Sequence, residues 1–485
     1  MKKFNTGSPI SIEKRCDPDE EAREGAKREA DIEAIRESLG DGAAEAMREY
    51  MSLFTDGLYK WFANLYDPET GALYYSNSGR DNEGFLPDIE STCRGYSWLI
   101  TAGLTEKYDS LYDAFPEFLR EKQVKWTQGL QSSENGYFYH PQWPKETHNV
   151  SRLGRDLKYS LEHLRRFRGE PLYDAPSGER GILGAPSLAL KREDGSTASV
   201  LPDYLQNLDE FEKYLESLNW VDRTYPSGHA LESQSTQIIK AGPEYVKKLE
   251  DFLNKKQSDV RDTLRAEAKA KLLSEKPSAS ADELERAMTE NENGLWEPIV
   301  KYESVNGLMK ICSTYNHLGL KINYADRAFL SAVKIATFDG VDADGAIANQ
   351  IVNVFNPWVM LNILQANVRK FGTPEEAQRL ESLLRENAEA LIRATVKKLR
   401  AFKKEDESFG YCAVGVPALN QKMPSAVPGT NEGDVNGCTI ATVGILSHAC
   451  EALHVPRPQM FFDRDLEVYL GIIKERERLY NESRS

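Results

Sequence analysis

Apolar residues recur at helical spacing along most of the chain. Between Asp31 and Leu65 they fall at Ile32, Ile35, Leu39, Ala43, Met47, Met51, Leu53 and Phe54, with a break expected at Gly40-Asp41-Gly42. The same period predicts helices over Ser91–Leu104, Tyr108–Leu130, Leu153–Phe167, Tyr204–Leu218, Ala230–Ala241 and Ser304–Leu318. It continues over Ala325–Thr337, Ile347–Phe371, Pro374–Phe402, Thr439–Leu453 and Leu466–Tyr480. No regular alternation of Val/Ile runs with helices and no Gly-rich phosphate loop is present, so a βαβ fold is excluded.

The connections are aromatic instead of simply polar: Tyr66–Tyr75, Asn135–Trp143, Tyr225–His229, Phe355–Trp358 and Phe409–Tyr411. A ring of such loops around a cleft supplies a reason for that composition. The reading is an all-α fold, an (α/α)n toroid of about six helical hairpins, closed or incomplete, occupying residues 31–485 after a polar extension over 1–30. Residues 244–293 differ, being rich in Lys, Glu, Ala and Ser with a turn at Pro277–Ser280 and a helix start at Ser280. They predict a charged helical hairpin projecting from the body, used as an inserted arm or as a contact between copies.

Charge narrows the partners. With 61 Lys and Arg against 76 Asp and Glu the net charge is −15, which argues against a general nucleic-acid surface. The first 24 residues contain no apolar stretch of secretory type, and no run approaches the length of a membrane span. Six cysteines are scattered without a Cys-x-x-Cys pair, so buried, reduced thiols in a cytoplasm are expected. No His/Asp/Cys set has metal-ligand spacing, and no cofactor is expected.

Five stretches carry the candidate chemistry. Asp88 and Glu90 stand before and within the start of a helix; either could join Glu432 or Asp434 as the carboxyl pair of an inverting glycosidase, or simply favour the helix N-terminus. Tyr137–Trp143, with Tyr139, His140 and Trp143, leads to Arg152, Arg155 and Asp156; rings stack on sugar faces and Arg grips a carboxylate, or the strip fills the core. His229 follows the Gly-containing Tyr225–Gly228 turn, where an imidazole could act as a base or could cap. Glu303, Asn306 and Lys310 form a polar stripe on one helical face that begins at Tyr302 and extends towards Tyr315. Asn431–Thr439 enters an apolar helix, with Asn436 a candidate cap.

This layout resembles the α/α-toroid polysaccharide lyases, the class of alginate, glucuronan and glycosaminoglycan lyases. The likeness lies in the helical layout over roughly residues 30–480 and in three motifs: Tyr137–Trp143, Tyr225–His229 and Tyr302–Lys310. It implies β-elimination on a uronate in an oligo- or polysaccharide, with His229 as base or neutraliser and Tyr302 as acid/base. Asn306 and His140 become carboxylate donors, and Arg155 binds the substrate carboxylate. Tyr139, Trp143, Asp88, Glu90, Glu303, Tyr315, Trp358 and Glu432 complete the expected substrate contacts. The same scaffold also hosts glycoside hydrolases, so an inverting hydrolase using Asp88 or Glu90 with Glu432 is the alternative, followed by a non-catalytic glycan-binding protein.

Overall fold

The computed structural model describes residues 8–148, 150–187, 203–338, 349–420 and 423–485, and these are mostly helical. The N-terminal helices are α1 (Pro18–Leu39), α2 (Asp41–Met51), α3 (Asp56–Asn64), α4 (Asn77–Asp81), α5 (Ile89–Thr101), α6 (Leu111–Ala114), α7 (Glu117–Gly129) and α8 (Val150–Arg166). The middle of the chain forms α9 (Leu208–Ser217), α10 (Thr224–Ala241), α11 (Pro243–Glu275), α12 (Ala281–Glu290), α13 (Tyr302–Leu318) and α14 (Ala325–Thr337). The rest supplies α15 (Val352–Phe371), α16 (Pro374–Leu399), α17 (Val435–Thr439), α18 (Ile445–Leu453) and α19 (Asp463–Arg484), with a π-helical turn at Ile440–Gly444 joining α17 to α18.

Several boundaries differ from the apolar periodicity for local reasons. Helix starts at Pro18, not near Asp31, because Asp17 caps it and Pro18 opens it; Arg28 then ties α1 to the Gln459 and Met460 carbonyls. The break expected at Gly40 is present at φ 91°. Pro116 separates α6 from α7 within the stretch expected to be one helix. Tyr225–His229, expected as a turn, lies inside α10. Pro226 is tolerated in the first turn, where an N–H lacks an intrahelical partner, and the Glu297 carboxylate accepts from Thr224 N (2.8 Å) in place of a local cap. Phe355–Trp358 is likewise helical, with Pro357 inside α15. Asp434, not Asn436, caps α17, accepting from Gly437 N at 2.8 Å.

Six helical runs pack as neighbours in the order α8, α5, α17–α18, α15, α13, α10. They are parallel. Near the start of α5 and α8, Glu90 meets Arg152 and Arg155, and near their ends Ser97 meets Arg166. Along the arc, Trp98 donates to Thr442, Asn362 to the His448 carbonyl and Asn356 to Asn306. Gly228 and Gly307 let α10 and α13 approach closely: a Cβ at Gly307 would lie 2.0 Å from the Thr224 hydroxyl. Helices α2, α14 and α16 form part of a second layer outside this arc, closing a continuous apolar core.

The charged hairpin is α11 and α12, with Ser280 and Glu283 forming a capping box. Its first half does not project. Tyr245, Leu249 and Leu253 are buried, and Lys248 and Lys256 pair with Glu212 and Glu216 on α9. Among the described residues no helix is long and apolar enough to cross a membrane. Four of the six cysteines are buried, and none is disulfide-bonded.

Candidate functional site

Because the inner helices are parallel, their N-terminal ends and the loops that feed them gather at one face. The positive ends of their dipoles therefore point the same way. Half-buried side chains stand on four of these helices: Arg94 and Ser97 on α5, Arg155 and Tyr159 on α8, Asn306 and Lys310 on α13, Phe355 and Asn356 on α15.

A buried charge cluster sits at the α5–α8 mouth. Glu90 is fully buried and receives Arg94 (3.0 Å), Arg152 (3.3 Å) and Arg155 (Nε at 3.3 Å). Burial alone would raise its pKa; the three guanidiniums override that and hold the carboxyl below its ordinary value. Arg152 also forks onto Asp156 at 3.0 and 2.6 Å. Burial pushes Asp156 up to about 6 despite that contact. Arg152 is 1 % exposed and belongs to the interior, whereas Arg155 is 31 % exposed and reaches solvent. Tyr159 lies beside both outer guanidiniums, with Arg94 at 5.7 Å and Arg155 at 5.9 Å from its ring centre.

Across the mouth, Asp434 accepts from the Tyr411 backbone N–H at 2.6 Å, and burial pushes its carboxyl up to about 6. The Tyr411 hydroxyl is held above its ordinary pKa by burial, with Cys412, Asp434 and Tyr225 adding to the effect and Arg94 opposing it. Tyr411 therefore stands within electrostatic reach of both α5 and α10. On α10, His229 is exposed (61 %), lies parallel to Tyr225 with centroids 6.3 Å apart, and has Nδ1 3.8 Å from Glu232. Glu232 accepts from Lys310 at 2.7 Å; burial would raise its carboxyl, and the Lys310 and Ser313 bonds hold it low.

No family model matches this chain, and neither a curated protein nor a solved structure shows significant similarity to it. The side chains must therefore carry the functional argument.

Of the residues expected from sequence, Glu90 and Arg155 pair across α5 and α8, His229 is exposed on α10, and Asn306 is half-buried on α13. Glu303 is half-buried at the start of the same α13 stripe. The others lie elsewhere. Tyr302 is buried, with its hydroxyl 3.3 Å from Lys398 of the outer helix α16, so it does not join His229. Tyr315 is buried against Asn254 of α11, and Trp358 donates to Thr395 of α16; both are packing residues. His140 is buried behind the mouth, donating from Nε2 to the Pro87 carbonyl and stacking on Trp143 at 3.9 Å. Burial lowers its pKa to about 4 and keeps it neutral. Trp143 is buried too, and the Tyr139 hydroxyl accepts from Asn135, so the aromatic strip plugs the core more than it lines a cleft.

The carboxyl pair expected for a hydrolase is committed to structure. Asp88 is the buried cap of α5, accepting from Ser91 N and Oγ. Glu432 is buried under Ser78 N and the Ser76 and Ser78 hydroxyls. Sequence reasoning missed Arg94, Tyr159, Glu232 and Tyr411 as members of the site. The spacings Glu90/Arg94 and Arg155/Tyr159, four residues apart on one helix face, were the available signal. Among the described residues no group of three or more His, Cys, Asp or Glu is placed to hold a metal ion.

Proposed function

We propose that the arc of inner helices closes into an α/α toroid and that its N-terminal mouth binds an acidic oligosaccharide, cleaving it by β-elimination. Two observations carry this reading: a partly exposed arginine, Arg155, on α8, and an exposed histidine with its own carboxylate, His229 with Glu232, on α10, both on helices of the parallel set whose N-terminal ends share one face. Converging helix N-termini and Arg94 add to the attraction for an anion. Tyr159 and Tyr225 offer ring faces for the sugar.

In the proposed reaction Arg155 forks onto the uronate carboxylate, with the Asn306–Asn356 amide pair as a further donor, which makes the C5 proton acidic. His229 removes that proton, and Glu232 stabilises the imidazolium that forms. The electron pair becomes the C4–C5 double bond, and the bond from C4 to the glycosidic oxygen breaks. Tyr411, kept protonated by burial, hands its proton to the departing oxygen; it takes the place expected for Tyr302. No water is consumed. A cytoplasmic setting, in which the substrate is an imported oligosaccharide, fits this reading.

The test is a panel of uronate oligosaccharides followed by absorbance at about 235 nm, where a conjugated unsaturated uronate absorbs, together with reducing-end release. New absorbance accompanying new reducing ends supports elimination. Reducing ends without absorbance mean hydrolysis, and binding without either product means a glycan-binding protein.

A further inference from the structure

The opposite ends of the same helices enclose a separate cavity of about 740 Å³. It begins where α5 ends, at Ile100–Gly103, roughly 20 Å along the helix axis from the Asp88–Glu90 mouth. Its walls are the last turn of α8 and the loop after α18, and Ile100, Val443 and Leu446 contribute an apolar surface. A volume of this size accommodates a small organic ligand. Five cations (Lys27, Arg165, Arg166, Arg168, Arg457) line it against three carboxylates (Asp31, Glu106, Asp109), in a chain whose net charge is −15.

Most of these cations are engaged. Lys27 pairs with Glu106, Arg166 with Glu162 and Ser97, and Arg168 with Asp113. Two differ. Arg165 reaches only Glu179, at 3.9 Å, and stays 71 % exposed. Arg457 donates to the Ser447 hydroxyl at 3.0 Å, and among the described residues no carboxylate lies within ion-pair distance of it. The arginines of α8 complement the negative end of that helix. That explanation does not reach Arg457, which stands in a loop and bonds a serine, not a terminal carbonyl.

We propose that this cavity binds a sugar-sized organic anion, a hexuronate or a hexose phosphate, with Arg165 and Arg457 gripping its charge from opposite walls. Ile100, Val443 and Leu446 would pack against the C–H face of the ring, and Asp31 would accept from its hydroxyls. The inference does not depend on elimination at the mouth.

The test is calorimetric titration of the full chain carrying Arg155→Gln, which removes the mouth's grip on carboxylates. The probes are glucuronate, glucose 6-phosphate, neutral glucose and inorganic phosphate. At least one sugar anion is expected to bind, and Arg457→Gln or Arg165→Gln added singly should each weaken it by about tenfold or more. Both arginines are exposed, so unchanged melting temperatures will show that the variants fold. Preference for glucuronate or for glucose 6-phosphate names the class. The proposal is overturned if no sugar anion binds up to about 10 mM. It is equally overturned if glucose binds as well as the anions, if inorganic phosphate alone binds, or if Arg457→Gln leaves affinity unchanged.

Discussion

Arg152 and Arg155 touch the same carboxylate from the same helix, yet they should fail differently when replaced by glutamine. Arg152 is 1 % exposed and bonds both Glu90 and Asp156. Its loss leaves Asp156, itself 1 % exposed, beside His148 Nε2 at 4.0 Å, an imidazole whose pKa burial lowers and which is therefore no cation at neutral pH; breaking a buried pair in this way costs about 3–5 kcal/mol. With an unfolding entropy of about 2.1 cal/mol/K per residue, 485 residues give roughly 1 kcal/mol/K, so Arg152→Gln should lower Tm by about 3–5 °C. Arg155 is 31 % exposed, solvent screens its pairing with Glu90, and Arg155→Gln should cost no more than about 1 kcal/mol and 1 °C. Activity should reverse the order. Arg155→Gln should lose about 10²–10³ in kcat/KM, while folded Arg152→Gln retains most of it. The pH dependence supplies a further check. Asp156 already has a folded pKa of about 6, above its unfolded value, so its protonation stabilises the native state. Removing Arg152 raises that pKa further, so the deficit should shrink as pH falls from the variant's raised pKa towards 6 and level off below it. Scanning calorimetry and initial rates on the two variants decide the matter. Equal Tm losses, or a fully active Arg155→Gln, would refute this division between interior and cleft.

Other perturbations have defined signs. His163 is fully buried, and burial lowers its pKa to about 3, below an unfolded value near 6.5. Its contribution is complete above 6.5 and is lost as pH falls towards 3, so His163→Phe should flatten the acid limb of a plot of urea midpoint against pH; an unchanged limb would exclude His163 as a source. A Cβ at Gly437 would lie 2.4 Å from the Phe409 carbonyl oxygen and 2.3 Å from the Gly410 carbonyl carbon. Gly437→Ala should therefore cost at least about 1–3 kcal/mol, read as a lower urea midpoint, and a neutral result would show that this loop yields readily.

The scaffold was more legible than the site. Amphipathic stripes on long helices such as α13 and α16 stand out because packing and period agree. Helix starts on α1, α10 and α17 were misplaced because they depend on particular partners: the Asp17 and Asp434 side chains, and for α10 a carboxylate 73 residues away, Glu297. Residue type points to a chemistry, but type does not say which way a helix is turned. Tyr302 stands on the helix that carries Asn306 and Lys310, but its ring faces the outer layer and Lys398. The aromatic strip Tyr137–Trp143 looked like a sugar platform because loops are usually exposed; here Phe138 and Trp143 are buried. Glu90 and Arg155 were recognised because carboxylate and guanidinium chemistry is local, but their pairing required tertiary contact.

The central claim is that His229 at the mouth removes a proton from a uronate. The most direct measurement is the time course of absorbance at about 235 nm for wild type and His229→Ala on the same uronate oligosaccharide, with Tm recorded for both. A rise for the wild type, loss of at least about a hundredfold in the variant and equal melting temperatures are the predicted result. Equal rates for the two proteins, or reducing ends released without any absorbance, would contradict it.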